Sequence, residues 1–319
     1  MKETWKFIQD KLNSNRKVIL LIVIDNDGSS PGQAGFKMAV ADDGTMTGSI
    51  GGGQTEYRLV EKAKKEMGKE NPQISLKKEV HRSDVDEDRS GMICSGEQWI
   101  AFYPVSTADS EIIDSINISV EKEEKGIIHY NPDGFTFNAG ETEHHKHQNP
   151  VTSPEEWQYN EVICIKNHLY IFGAGHVGLA LSDIATRLNF VVHIFDNRKG
   201  LNTMTMNESA RFKEVIDYTN VSQYVPAGDN IYVVVMTFGH KSDESVLMQF
   251  LNKKIKYLGM MGSGKKVKAI FENLEMTGIS KDVLRQVHAP IGLEINSQTP
   301  FEIAISVVAE MIAAKNNKH

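Results

Sequence analysis

The sequence predicts an α/β protein whose second half is a doubly wound parallel sheet. Three observations predict it. Residues 169–172 form a short apolar β run that leads into GAGHVG at 173–178. Val177, Ala180, Leu181, Ile184, Ala185 and Leu188 then recur at helical spacing, and a second β run at 190–195 ends in Asp196. Finally, strands alternate with helices to residue 319, which is the pattern of a parallel sheet covered on both faces.

The first of these is a Rossmann-like unit, and each residue in it has a physical reason. Gly173 permits the tight turn, Gly175 lets backbone approach a phosphate, and Gly178 lets helix and strand pack. His176 lies inside the glycine turn and could contact a bound phosphate, and from Val177 on a helix follows whose N-terminal amides and positive dipole end suit an anion. Asp196 stands where a ribose hydroxyl would be gripped, and Arg198 could accept a 2′-phosphate. NAD(P) is therefore a candidate cofactor.

Composition bounds the alternatives. A chain of 319 residues suggests two domains. The net charge of -7 argues against nucleic acid as the main partner. No apolar run approaches the roughly 20 residues of a membrane span. Residues 1–15 read as an amphipathic helix with Trp5, Ile8 and Leu12 on one face, not as an export signal. The two cysteines, Cys94 and Cys164, make no disulfide framework. These features imply a cytoplasmic setting.

Residues 1–105 are expected to form the N-terminal α/β domain. A strand at 18–24 runs into the polar turn DNDGSSPGQAG at 25–35. A hairpin follows at 36–41 and 46–50, around Asp42, Asp43 and Gly44. Gly51, Gly52 and Gly53 lead into a helix at 54–67 with Tyr57, Val60, Ala63 and Met67 inward, a second place where backbone amides could meet an anion. Strands are expected at 74–80 and 98–103, separated by a charged stretch and by GMICSG at 91–96. Residues 106–160 read as a connection: a surface helix, a hairpin turning at Asn131-Pro132-Asp133-Gly134, and a polar loop.

Residues 161–319 are expected to carry the Rossmann-like domain. NIYVVVMT at 230–237 is its most apolar strand, as the centre of a parallel sheet requires. It ends in FGHKSDE at 238–244, and the strand at 255–258 ends in GMMGSGKK at 259–266. His240, Gly262, Ser263 and Lys265 thus fall at carboxyl ends of strands, where such sheets bind ligands. His240 could act as acid or base. The last helix opens with Thr299, Pro300 and Glu302, a capping box.

Cys94 sits between glycines, so its thiol is a candidate sulfur carrier or soft ligand, whereas Cys164 in EVICIK reads as core. EHHKH at 143–147 holds Glu143, His144, His145 and His147 in one polar loop, and zinc sites take ligands from separate elements, so no metal site is expected.

Taken together, these segments resemble the xanthine dehydrogenase accessory factor family of the XdhC/CoxI type. The resemblance is carried by GSSPGQAGFKM at 28–38, GSIGGGQTE at 48–56, GMICSG at 91–96, FGAGHVGLAL at 172–181, FDNR at 195–198, VVVMTFGHKSDE at 233–244, YLGMMGSGKK at 257–266 and the run from His288 to the last helix. It implies a protein that binds molybdenum cofactor, helps it receive sulfur through a partner cysteine desulfurase, and delivers it to a molybdenum hydroxylase such as xanthine dehydrogenase. It also adds Ser29, Ser30, Gln54 and Glu56 to the expected cofactor contacts. Family members commonly carry cysteine directly after the three glycines; here that residue is Gln54, which leaves Cys94 as the matching thiol.

The resemblance thus favours a cofactor chaperone, acting in purine catabolism and with a homodimer as a further expectation. An NAD(P)-dependent oxidoreductase and a nucleotide-binding regulator are the alternatives. Against the oxidoreductase, none of the nine tyrosines is followed by lysine four residues on.

Overall fold

The structure is a computed structural model that describes residues 2–28, 30–80, 96–141, 151 and 153–316. It divides into two compact units, Met1–Ile165 and Lys166–His319.

In the first unit, α1 (Lys2–Asn13) precedes β1 (Val18–Asp27). A 12-residue helix is marginal alone, so α1 is held by Trp5, Ile8 and Leu12, all buried. The apolar run of β1 is covered on both faces. Leu20, Ile22 and Ile24 face one cluster with Trp5 and Ile8, while Ile19, Leu21 and Val23 face another. The expected hairpin is formed by β2 (Lys37–Ala41) and β3 (Met46–Gly48). Next come α2 (Gly53–Met67), β4 (Ser75–Val80) and β5 (Glu97–Val105), and the sheet has the order β3-β2-β1-β5-β4. Every pairing in it is antiparallel. The buried side of α2 is Thr55, Leu59, Val60, Ala63 and Met67; Tyr57, expected inward, is 69% exposed because it sits on the opposite side from Leu59 and Ala63.

Residues 106–160, read as a connection, hold the expected helix and hairpin, and both lie within the first unit. Here α3 (Ser110–Lys122) buries Ile113 and Ile116 fully, and β6 (Gly126–Asn131), β7 (Gly134–Ala139) and β8 (Tyr159–Ile163) form an antiparallel sheet in the order β7-β6-β8. The helix joins the core of the first unit through those isoleucines, and the sheet joins it through aromatic packing. Tyr103 contacts the rings of Tyr130, Phe135 and Trp157 at centroid distances of 5.8, 5.8 and 6.1 Å. A buried ion pair between Lys37 and Glu161 ties β2 to β8, and the Tyr130 hydroxyl donates to the same carboxylate at 3.1 Å. Cys164 follows β8 with a positive φ of 59° and points its thiol at the Ser119 carbonyl, 3.8 Å away, packed against the core as expected.

The second unit contains β9 (Asn167–Phe172), α4 (His176–Arg187), β10 (Phe190–Asp196), α5 (Asn202–Thr205), β11 (Phe212–Val215), β12 (Gly228–Val235), α6 (His240–Met248), β13 (Ile255–Met260), α7 (Gly264–Met276), α8 (Lys281–Leu284) and α9 (Pro300–Asn316). Its sheet has the order β11-β10-β9-β12-β13 and is parallel throughout, the predicted doubly wound arrangement. Leu169 and Ile171 face α4 and α9, while Tyr170 and Phe172 face the side carrying α6 and α7. Leu188 marks the end of α4 and is 39% exposed. The capping box of α9 is present: Thr299 N–H donates to Glu302 and Glu302 N–H donates to Thr299 Oγ1. No helix among the described residues is long and apolar enough to cross a membrane.

On β10, His193 stacks between Tyr170 at 4.3 Å and Phe212 at 4.6 Å, with His168 Nδ1 3.1 Å from its Nε2. Burial, then the charges of His168 and Arg211, push its pKa down to about 4 from 6.5. The folded state therefore holds this ring neutral while the unfolded chain protonates it first. Stability from this residue is complete above about pH 6.5 and is lost as the pH falls toward about 4. A His193→Phe variant should flatten the fall of the urea midpoint across that window; an unchanged slope would refute the assignment.

Candidate functional site

The chain leaves β9 toward β10 and leaves β12 toward β13, so the loops after β9 and β12 flank the switch point of the parallel sheet. Gly173 has φ 125°, and a Cβ there would lie 2.1 Å from the Met236 carbonyl oxygen, so this turn presses against the end of the neighbouring strand. At Gly178 a Cβ would meet the Gly173 oxygen at 2.4 Å. Gly175 differs from both: nothing lies within 4 Å of its would-be Cβ, and no side chain caps α4. The head of α4 is thus open backbone, with His176 exposed and Val177 half-buried beside it.

Asp196 is placed differently from the expectation. It is 1% exposed, and both carboxylate oxygens are engaged. Ala174 N–H donates to Oδ2 at 2.8 Å, and Arg198 donates through its amide at 3.0 Å, Nε at 2.9 Å and Nη2 at 2.9 Å. Burial raises its pKa, but these hydrogen bonds outweigh burial and hold it below the ordinary carboxylate value. Asp196 is a buried pin between the glycine turn and Arg198. The Arg198 guanidinium in turn lies over the Phe238 ring, 5.1 Å from its centroid.

His240 begins α6, and its side chain is exposed and makes no hydrogen bond to another described residue. Beneath it lies a group the sequence reading missed. Asp243 is fully buried, accepts from Thr237 N–H at 2.8 Å and Thr237 Oγ1 at 2.7 Å, and is paired with Lys266. Lys266 also donates to the Met261 carbonyl at 3.0 Å, and its stem lies against Gly262. Ser263 caps α7 through the Lys266 amide. Lys265, expected with Ser263 and Lys266 at this helix start to meet an anion, is exposed. A signal was available: Lys266 shares a helical face with Ile270 and Leu274, and Asp243 shares one with Val246, Leu247 and Phe250.

In the first unit, residues 30–35 and 49–53 pack on each other. A Cβ on Gly51 would come within 2.8 Å of Gly32 N, and Gly32 N–H donates to the buried Gln98 side chain at 3.0 Å. Ser30 is buried and donates to the Gly32 carbonyl at 2.7 Å. Of the amides at 51–53, expected to take an anion, Gly51 N–H donates to Ser49 Oγ at 3.2 Å and Gly52 N–H to Glu56. Glu56 Oε2 accepts from Ser49 Oγ at 2.7 Å, Ile50 N–H at 3.0 Å and Gly52 N–H at 3.1 Å. A second anion on these amides would face that carboxylate. Gln54 is exposed at the start of α2, beside Gly53. Two surface grooves of this unit, one lined by Lys17, Asp42 and Lys64 and one by Leu12, Arg16 and Pro72, include no residue of the glycine loops.

Cys94, Ser29 and the cluster Glu143, His144, His145 and His147 lie outside the described residues. Among the described residues, no three His, Cys, Asp or Glu side chains are grouped to hold a metal ion.

Comparison with known proteins adds the following. A family profile described as the XdhC Rossmann domain matches residues 169–311, and one described as the XdhC and CoxI family matches residues 12–77. The protein YqeB of Escherichia coli strain K12 is 23% identical over 296 residues, which is 92% of this chain and 43% of that protein. A Bacillus subtilis strain 168 protein, named as one probable subunit of xanthine dehydrogenase, is 27% identical over 155 residues, 47% of this chain and 43% of its own. The chain thus spans less than half the length of these curated relatives. A crystal structure described as a xanthine dehydrogenase from Bacillus halodurans shares the fold, with a TM-score of 0.65 and 21% identity over 98% of this chain and 95% of that one.

Proposed function

This chain belongs to the XdhC and CoxI family, and on that premise we propose that it is an accessory protein that binds molybdenum cofactor and hands it to a xanthine dehydrogenase-type hydroxylase. One relative is named as a probable component of such an enzyme, which supports the choice of partner.

The observation that carries the reading is the open backbone at Gly175, at the head of α4 and at the switch point of the sheet. The cofactor ends in a phosphate, and a helix head without a capping side chain offers amides and a positive dipole end to such a group. The metal end finds less. Gln54 stands where family members commonly carry cysteine, and an amide neither carries sulfur nor ligates as a thiolate. The reading therefore assigns this chain binding and delivery, and gives sulfur transfer to a partner cysteine desulfurase. The cofactor supplies the redox chemistry of the enzyme that receives it.

An anaerobic titration with molybdenum cofactor tests the proposal. Gly175 has an ordinary φ of -74° and an open side, so Gly175→Val should fold with an unchanged thermal midpoint. The added side chain would hold a phosphate off the amides, and the variant should retain the cofactor about tenfold less well, the loss of a single charge-assisted contact. Equal retention by the two proteins would reject the reading.

A further inference from the structure

Phe238 follows the central strand β12 and is 86% exposed. One side of its ring is taken by the Arg198 guanidinium at 5.1 Å, and the rest is open. Asp196 fixes that guanidinium through Nε and Nη2. Among the described residues Nη1 has no partner, so a planar cation is held with one edge free. A third observation falls at the same place. The Tyr218 hydroxyl is buried beside the Asn197 backbone and near the charges of Asp196, Arg198 and Asp243.

The usual dinucleotide site presents an acid here to a ribose diol. In this chain the acid is consumed by its own neighbour, and the group presented is the arginine. We propose that Arg198 and Phe238 form one recognition unit for a ligand that carries a phosphomonoester and a planar nitrogen heterocycle: the free guanidinium edge takes the phosphate, and the ring stacks on Phe238. Asp196 is the positioning residue that orients the guanidinium. Two sources share this chemistry, a 2′-phosphorylated dinucleotide and the pterin cofactor, whose terminal phosphate would then be shared between the guanidinium edge and the amides at the head of α4. The inference rests on the reading above in using the same glycine turn, while its choice of anion is independent.

Calorimetric titration of the full chain with NADP+, with NAD+ and, anaerobically, with molybdenum cofactor distinguishes the sources. The variants are Arg198→Met, Arg198→Lys and Phe238→Ala. The expected result is binding of a phosphomonoester ligand that falls roughly 10- to 100-fold in Arg198→Met and recovers in part in Arg198→Lys. Phe238→Ala should lose about tenfold, as for removal of a stacking ring. Its side chain is exposed, so its unfolding midpoint should not move, which keeps the test valid if Arg198→Met folds poorly. With the dinucleotide as source, NADP+ binds about tenfold or more tighter than NAD+.

Cofactor retained equally by all variants, with no nucleotide bound, would overturn this inference and leave the accessory reading intact. NADP+ selectivity that depends on Arg198, without cofactor retention, would uphold the inference and remove that reading. NAD+ bound as tightly as NADP+ without cofactor binding, or no binding of any of the three, would overturn it as well.

Discussion

Lys266→Met is expected to destabilise the second unit by roughly 3–5 kcal/mol, the usual cost of stripping one partner from a buried ion pair. Asp243 is fully buried, and its other contacts are the amide and hydroxyl of Thr237. With Lys266 gone, a carboxylate would remain in the interior without its counter-ion, and the Met261 carbonyl would lose a donor. For a unit of this size the unfolding midpoint should drop on the order of 10 °C. The double variant Asp243→Val with Lys266→Met should recover part of that loss, because removing both charges leaves neither uncompensated. A midpoint within about 2 °C of the parent, on that same scale, would show that the pair is not the tie between the loops after β12 and β13.

Gly173→Val should cost a similar amount, on the order of 4 kcal/mol, from two separate sources. The φ of 125° is one that side-chain-bearing residues adopt only with strain, at about 1–3 kcal/mol. The new Cβ would also stand 2.1 Å from the Met236 oxygen, an overlap that backbone must relieve at about 1–3 kcal/mol more. Gly175→Val, two residues on, meets neither penalty. Chemical denaturation of the pair should therefore separate a structural glycine from a binding one. Equal midpoints for the two variants would mean that the turn yields to the added side chain.

Much of this was legible in the sequence because it depends on local periodicity. The strand, GAGHVG, helix and strand of 169–196 lie in one short stretch, and the parallel order of the second sheet follows from strands alternating with helices. The apolar run at 18–24 likewise announced a strand covered on both sides. The helix and hairpin of 106–160 were legible too, but their packing into the first unit was not, because Tyr103, Tyr130, Phe135 and Trp157 meet only after three segments converge, and no spacing records that.

The candidate site divides along the same line. The family and the glycine turn can be read from consecutive residues and their φ preferences. The open side of Gly175 and the charges that are spent depend on the folded chain. Asp196 is bonded to Ala174 and Arg198, Glu56 occupies the amides of its own loop, and Lys266 rather than Lys265 turns inward to Asp243. A carboxylate or ammonium group removed from water must find its counter-charge or its donors within hydrogen-bond reach. Which neighbour satisfies it is a matter of distance in the folded chain, and distance is what the order of residues does not state.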